Sequence, residues 1–422
     1  MLPSVGRTYH DPLHGAITLN RGDPVEDLLI RLIDTPAFQR LRRIRQLGPA
    51  SLTFHGAESS RFTHSLGVMA IARRAFDRLV FHYPQLKPYR IVVLCAALLH
   101  DIGHGPFSHT CEEVFGSHHE HWTQRILEEH TPIRKLLDAV DQGLLSQIEL
   151  VYQKLHPIPL VWQLVSSQLD CDRLDYLMRD SYFTGASYGR LDLDRILMAM
   201  QYDPVSQQLV VAEKGMAAIE HYLIVRYFMY AQIYNHPKNL AATWILDQAL
   251  RRSRELLAQN QLTADETVAA WLQQDCNHLE LDCYLAADDG IFLYHLQRWQ
   301  SHSDSLLADL CRRFVNRDLL KAIDITQLGA AQQQALLQQV QRQLKQLDFA
   351  PDRYAGIRTT LSRGYTLYQR GIKLQTSVGL QEISDRSPFV KTLTEPWQRS
   401  WLLHPREVDP APLLQAVSEP CK

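Results

Sequence analysis

The chain has 422 residues, with 44 basic and 46 acidic side chains and a formal net charge of −2, so no overall basic field exists to drive non-specific nucleic-acid binding and any charged partner must be met by local clusters. Its length suits one large helical domain with appendages, or two to three units. No apolar run approaches a membrane span, Met1 to Gly15 lacks a secretory apolar core, and seven scattered cysteines without C-x-x-C (Cys95, Cys111, Cys171, Cys276, Cys283, Cys311, Cys421) read as reduced thiols of a cytoplasmic protein.

In chain order, Val25, Leu28, Leu29, Leu32 and Ile33 form the apolar stripe of an amphipathic helix. Asp34-Thr35-Pro36 breaks it and restarts a helix, with a capping residue ahead of a first-turn proline. That helix, Ala37 to Gln46, carries Arg40, Arg42, Arg43 and Arg45 and stops at Gly48-Pro49. Periodicity predicts further helices over 64–84, 90–101, 106–116, 119–130, 132–140, 143–154, 159–180, 190–201, 215–235 and 237–258, with a strand over 207–212. A second helical part covers 262–347, with Gln332 to Gln346 a solvent-exposed amphipathic helix. Ile357–Leu361 and Tyr365–Tyr368, separated by Ser-Arg-Gly, read as a hairpin; 387–393 is a last helix, and the tail after Pro405 reads as poorly ordered. The expected class is all-α with a small β element near 354–375.

Nine of the nineteen histidines fall between His55 and His121, a clustering that points to metal or proton chemistry. Within it an apolar helical stretch, Ile91 to Leu99, runs into His100-Asp101, a glycine-rich bend and then His104 and His109. An imidazole beside a carboxylate suits a divalent transition metal but cannot complete its sphere alone. Upstream lies Arg61-Phe62-Thr63-His64; downstream, Asp170 to Asp180 holds four carboxylates in an apolar segment.

The order His … His-Asp … Asp on helices resembles the HD phosphohydrolase superfamily. Four segments narrow it: Asp11-Pro-Leu-His-Gly, Asp34-Thr-Pro-Ala-Phe-Gln-Arg-Leu-Arg-Arg-Ile-Arg-Gln-Leu-Gly, Arg61-Phe-Thr-His-Ser-Leu-Gly and Leu99-His-Asp-Ile-Gly-His-Gly-Pro-Phe-Ser-His. These resemble the deoxynucleoside triphosphate triphosphohydrolases, over about the first 245 residues. The resemblance implies a catalytic core over 1–258 and a C-terminal region over 259–422 that builds a subunit interface of a homo-oligomer. It implies release of a deoxynucleoside and intact tripolyphosphate.

It also implies His64, His100, Asp101 and Asp172 as ligands of one divalent ion. Two nitrogens and two oxygens tolerate Fe, Mn, Ni, Zn, Co or Mg, and a further Mg can accompany the triphosphate. His109, with Glu112 one turn on, suits a general acid and its orienting carboxylate. His104 and His119 suit phosphate holding or proton transfer; the plainer readings are a loop turn and the start of a surface helix. A triphosphate needs cations, for which Arg61 and Arg226 are the clamps. Arg173 either contacts phosphate or pairs with a carboxylate. Arg226, Tyr230 and Tyr234 share one helical face by spacing. The resemblance sets Tyr234, Tyr176, Asp180 and Gln46 around the deoxyribose and base, although both tyrosines also read as core aromatics. Many relatives carry a His where this chain has Tyr230. A regulatory guanine nucleotide is implied at Asp34, Gln39 and Arg42, with Arg7 and Lys238 nearby; Asp34 also reads as a helix cap and Arg42 as a solvated face.

Two other classes compete. Another HD phosphohydrolase (nucleotidase, phosphodiesterase or alarmone hydrolase) would release a different phosphate product. A non-catalytic, nucleic-acid-binding protein would use the basic 40–45 cluster.

Overall fold

The computed structural model describes residues 6–367, 371–410, 412 and 414. Tyr368, Cys421 and almost all of the tail beyond Pro410 lie outside the described residues. The fold is mainly helical, with three small sheets among the described residues. The strands are β1 (Arg7–Asp11), β2 (Gly15–Leu19), β3 (Met200–Asp203), β4 (Gln208–Ala212), β5 (Lys321–Asp324), β6 (Gly356–Ser362), β7 (Lys373–Thr376), β8 (Gly379–Glu382) and β9 (Trp397–His404). β1 and β2 form an antiparallel hairpin; the other sheets run β3-β4-β7-β8 and β5-β9-β6.

Three helices position the site. Arg61–His82 and Arg90–Leu99 pack together across the short turn Pro84–Tyr89, and Cys171–Thr184 packs on the first of them. Helix Arg90–Leu99 is buried from Val92 to Leu99, which is why its sequence is apolar all round. Truncating one of its leucines, Leu98→Ala, would cost about 2–5 kcal/mol. The residues that leave this core are the polar ones at helix ends: His64 in a first turn, His100 just past a last turn and Asp172 in a first turn.

Two apolar cores meet at the 100–109 segment. Ile102 belongs to the first, with Leu66, Leu98 and Leu174. Phe107 belongs to the second, with Ile245, Trp271 and Phe292. The histidine-rich bend is thus clamped from both sides.

Several expectations are corrected. The 37–46 helix ends early: Pro36–Arg40 gives way to a tight turn over Leu41–Arg43, then to extended backbone in which Arg45 bridges to Ser60. No side chain caps its start, because Thr35 Oγ1 donates back to Leu32 O and Asp34 turns to Arg7. Gly48-Pro49 opens a short 3-10 turn, Gly48–Leu52. The 159–180 helix is two, Pro159–Gln163 and Cys171–Thr184, because Asp170 caps the second by accepting from Arg173 N. The 215–235 helix is α only over Met216–Met229; Tyr230–Tyr234 is a π-turn, closed by Asn235 N donating to Tyr230 O. The 357–368 hairpin does not form: β6 pairs with β9, and 365–367 is not a strand. The residues 405–410 are placed, with Val408 buried. Helices 237–258 and 388–392 and strand 208–212 agree with expectation to within a residue or so.

Candidate active site and metal centre

His64, His100 and Asp101 bring their ligand atoms within 4.8 Å of one another, and Asp172 approaches the two imidazoles. His64 Nε2 lies 3.3 Å from His100 Nε2, 3.0 Å from Asp172 Oδ1 and 3.6 Å from Asp101 Oδ2. His100 Nε2 lies 3.3 Å from Asp101 Oδ1 and 3.6 Å from Asp172 Oδ1. Adjacent ligands of an ion bound at about 2.1 Å sit about 3 Å apart, so these separations fit one divalent cation.

The outer partners settle how the rings are used. His64 Nδ1 meets Asp175 Oδ2 at 2.8 Å, and His100 Nδ1 meets Ala97 O at 2.9 Å. Both acceptors require a hydrogen on Nδ1, which leaves Nε2 of each ring as the inward atom, the one that would give its lone pair to an ion. Two inward ring nitrogens and two carboxylates face one another in a cleft, and the residues fit a divalent metal ion that would take the place of the ring protons the carboxylates otherwise favour. The same carboxylates show in the titration. Burial alone would lower the His64 pKa, but Asp172, Asp175 and Asp101 push it up to about 10. His100 is likewise raised against burial, by Asp101 and Asp172.

Beside this centre lies a second cluster, His104, His109, Glu112 and His119, also close enough to hold an ion. Glu112 sits between two imidazoles: Oε2 lies 3.2 Å from His109 Nδ1, and Oε1 is hydrogen-bonded to His119 Nδ1. Burial opposes the Glu112 carboxylate, but the two histidines outweigh it and hold it well below the usual range. His104 stacks on His119 at 4.0 Å, and its Nε2 lies 3.3 Å from Asp101 Oδ1. Burial and the nearby Arg61 charge keep His104 neutral, its pKa well below normal.

The bend that carries these groups is strained. Phe107 and Ser108 adopt φ of 61° and 56°, unusual for residues with side chains. Asp289 holds them: its Oδ1 accepts from Phe107 N at 2.7 Å and its Oδ2 from Arg45 N at 3.0 Å. Gly48 passes so close that a Cβ there would lie 2.4 Å from Phe107 O. Arg40, fully buried, donates to His104 O and Ala287 O. Sequence reasoning missed Asp289, which no local motif marks.

A cavity of about 400 Å³ opens next to His109 and is lined by Gln46, Tyr234, Asn239, Thr359 and Thr360 among others. β6 forms one wall. Gln46 Oε1 and Asn239 Oδ1 are buried without a hydrogen-bond partner. Tyr234 Oη donates to Asp180 Oδ2 at 2.8 Å, and its ring meets Tyr176 edge-on at 6.0 Å and Tyr230 at 5.0 Å. Burial raises the Asp180 pKa to about 7.

The expected clamps are placed unevenly. Arg61 is buried and pairs with Asp101, while its Nε donates to Ser108 Oγ at 2.8 Å; it braces a candidate ligand. Arg226 donates to Gln168 Oε1 at 2.8 Å, and Arg173 pairs with Asp170 at 3.2 Å, its Nε buried without a partner. The basic 40–45 cluster is not a free cationic face: Arg43 pairs with Asp288, Arg45 with Glu58, and Arg42 lies 3.6 Å over the Phe62 ring. Of the implied regulatory residues, Arg7 pairs with Asp34 at 2.6 Å and Arg42 Nε donates to Gln39 Oε1 at 2.8 Å, both exposed. Lys238 sits instead among Arg317, Lys321 and Arg406; burial and their charges lower its pKa.

Residues 61–167 match the HD domain and residues 191–360 the HD associated region. An uncharacterized protein of Bacillus subtilis, YwfO, is 37% identical over 397 residues, covering 92% of this chain and 89% of that protein. A deoxynucleoside triphosphate triphosphohydrolase SAMHD1 homolog of Dictyostelium discoideum is 30% identical over 272 residues; the match covers 60% of this chain and half of that protein's length. A phosphohydrolase crystal structure from Bacteroides thetaiotaomicron superposes with a TM-score of 0.82 at 29% identity, covering 95% of this chain and 100% of the other.

Proposed function

The chain belongs to the HD-domain family, and on that footing we propose that it is a cytoplasmic, homo-oligomeric hydrolase that converts deoxynucleoside triphosphates to deoxynucleosides and tripolyphosphate. The observation that carries this reading is the cavity of about 400 Å³ lined by Ser108 and His109, which Arg61 ties to the candidate ligand Asp101 through Ser108. It opens at His109 and is lined by hydrogen-bonding groups suited to a sugar and base. The likeness to the Dictyostelium triphosphohydrolase supports the substrate class. The six described cysteines are all free, which agrees with a reducing compartment. No helix among the described residues is long and apolar enough to cross a membrane.

A divalent ion, once held by His64, His100, Asp101 and Asp172, supplies Lewis acidity at the α-phosphate and lowers the pKa of a water molecule. The side chains do the rest. One water adds to the α-phosphorus, the bond from phosphorus to the 5′ oxygen breaks, and that oxygen leaves with a proton. His109 lines the cavity and donates it; Glu112 orients the ring, with His119 and His104 behind. Tyr234, Tyr176, Asp180 and Gln46 take the deoxyribose, where a tyrosine filling the 2′ space rejects ribose. Arg226 and Arg173 meet the phosphates when they exchange their present partners, while Arg61 keeps Asp101 ionised and in place. A second Mg with the triphosphate fits the same scheme.

Purified protein incubated with each dNTP and rNTP, in Mn or Mg, tests the proposal through its phosphate products. Tripolyphosphate from dNTPs alone is the expected result; single phosphate or pyrophosphate would point to another HD phosphohydrolase. Guanine-nucleotide activation belongs to the proposal through Arg7, Asp34, Gln39, Arg42 and Lys238; the first four form two exposed pairs, Arg7 with Asp34 and Arg42 with Gln39. Oligomer mass and rate with and without GTP or dGTP test it, and no change in either removes it.

A further inference from the structure

The segment Asp11-Pro-Leu-His-Gly has no part in the scheme above, yet the structure brings it to the back of the metal centre. His14, in the turn between β1 and β2, places Nε2 2.5 Å from Asp175 Oδ1. The other oxygen of that carboxylate accepts from His64 Nδ1 at 2.8 Å. We propose that His14 is a positioning residue for the metal centre, acting through Asp175 to fix the ring of His64.

Asp175 is fully buried and accepts from four donors on three segments: His14 Nε2, His64 Nδ1, and Arg179 through Nε at 2.7 Å and Nη2 at 3.0 Å. Arg179 grips both oxygens from the same helix, one turn on, and fixes the plane of the carboxylate. His14, 161 residues away in the chain, adds a second donor to Oδ1 and ties the carboxylate to the β1–β2 turn. The turn is built to present it. Asp11 Oδ1 accepts from the backbone N–H groups of Leu13 and His14, both at 2.9 Å, and Asp11 Oδ2 accepts from Arg179 Nη1 at 2.8 Å. The room is reserved as well: a Cβ on Gly67 would fall 2.0 Å from Asp175 Oδ1. Outer partners of this kind set ligand orientation and basicity, and their loss typically weakens metal affinity by about 10–100-fold.

The inference rests on the reading of His64 as a ligand, but its readout is Mn(II) affinity and not turnover, so it stands or falls apart from dNTP hydrolysis. Mn(II) dissociation constants are measured by chelator competition on the full chain, alongside the EPR spectrum of bound Mn(II) and the unfolding midpoint of the metal-free protein. His14→Ala should weaken Mn(II) binding about 10–100-fold and broaden the spectrum. His14→Gln, whose amide nitrogen can replace Nε2 as donor, should restore most of the affinity. Should His14→Ala fail to fold, His14→Leu, which keeps bulk and loses the donor, is compared with His14→Gln in its place. Wild-type affinity in the variant lacking the donor, or no rescue by glutamine, overturns the proposal.

Discussion

Arg61 and Asp101 form a buried ion pair in which the guanidinium takes one carboxylate oxygen, while the other oxygen faces His100 and His104. Asp101 is therefore both a candidate metal ligand and the counter-ion of a buried arginine. The two duties separate in mutants. Asp101→Ala should lose metal and activity and also lose about 3–5 kcal/mol of stability, because it strands the Arg61 charge. Asp172, more exposed, has no arginine partner of this kind among the described residues. Asp172→Ala should lose metal and activity with a near-normal unfolding midpoint. Elemental analysis and denaturant melts of both variants check this; equal stability losses would contradict it.

His109 should be separable from the metal. It stands outside the group of His64, His100 and Asp101 and lines the cavity. His109→Ala should keep wild-type metal content and lose about 10²–10⁴-fold in turnover, the usual contribution of a general acid. Retained turnover, measured by tripolyphosphate release, would assign the proton to another group.

The Asp180 carboxyl gives a pH signature. Its pKa is raised by burial from the ordinary value near 3.8 to about 7, so the folded state holds its proton more tightly than the unfolded chain does. Its stabilising contribution is complete at acid pH, declines as pH rises from about 4 to about 7, and is constant above that. Asp180→Asn is neutral throughout. The difference in unfolding free energy between wild type and this variant should fall across that window; a difference that is flat from pH 4 to 8 would exclude the shift.

Tyr234→Phe tests the same pair from the other side. Asp180 Oδ1 already lacks a partner, and the variant would leave Oδ2 unpaired as well. The cost should be about 1–3 kcal/mol, with a fall in kcat/KM for dNTPs.

Asp289→Ala should reach the active site from the C-terminal region. It frees the N–H groups of Phe107 and Arg45 and relaxes the strained bend ahead of His109. Turnover should drop with metal content unchanged, while Asp289→Asn, which keeps one acceptor, should lie between. A wild-type rate in Asp289→Ala would show that the bend holds itself.

The helical frame was legible because its signal is local. The stripe at Val25, Leu28, Leu29 and Leu32 and the capped, proline-started helix Pro237–Ala258 need no distant partner. The meeting of His64, His100 and Asp101 was legible through chemistry, since His-Asp at the end of an apolar helix has few other uses. What escaped depends on distance in the chain. β6 reads as half a hairpin until β9, across some forty residues, is known to be its partner. Asp289 is an ordinary helix-start acid until the fold lays it under Phe107. The break at 164–170 had a local sign, the cap at Asp170, but the flanking apolar residues masked it. Spacing suggested one face for Arg226, Tyr230 and Tyr234; the π-turn changes that geometry at Tyr230.

β9 is the middle strand that holds β6 against the cleft. During synthesis from the N-terminus, all four candidate ligands have emerged once residue 172 is out, whereas the wall beside them can close only after residue 404. A nascent chain thus completes its histidine and aspartate set long before the neighbouring cavity has its last wall, and the two parts of the cleft are built in sequence.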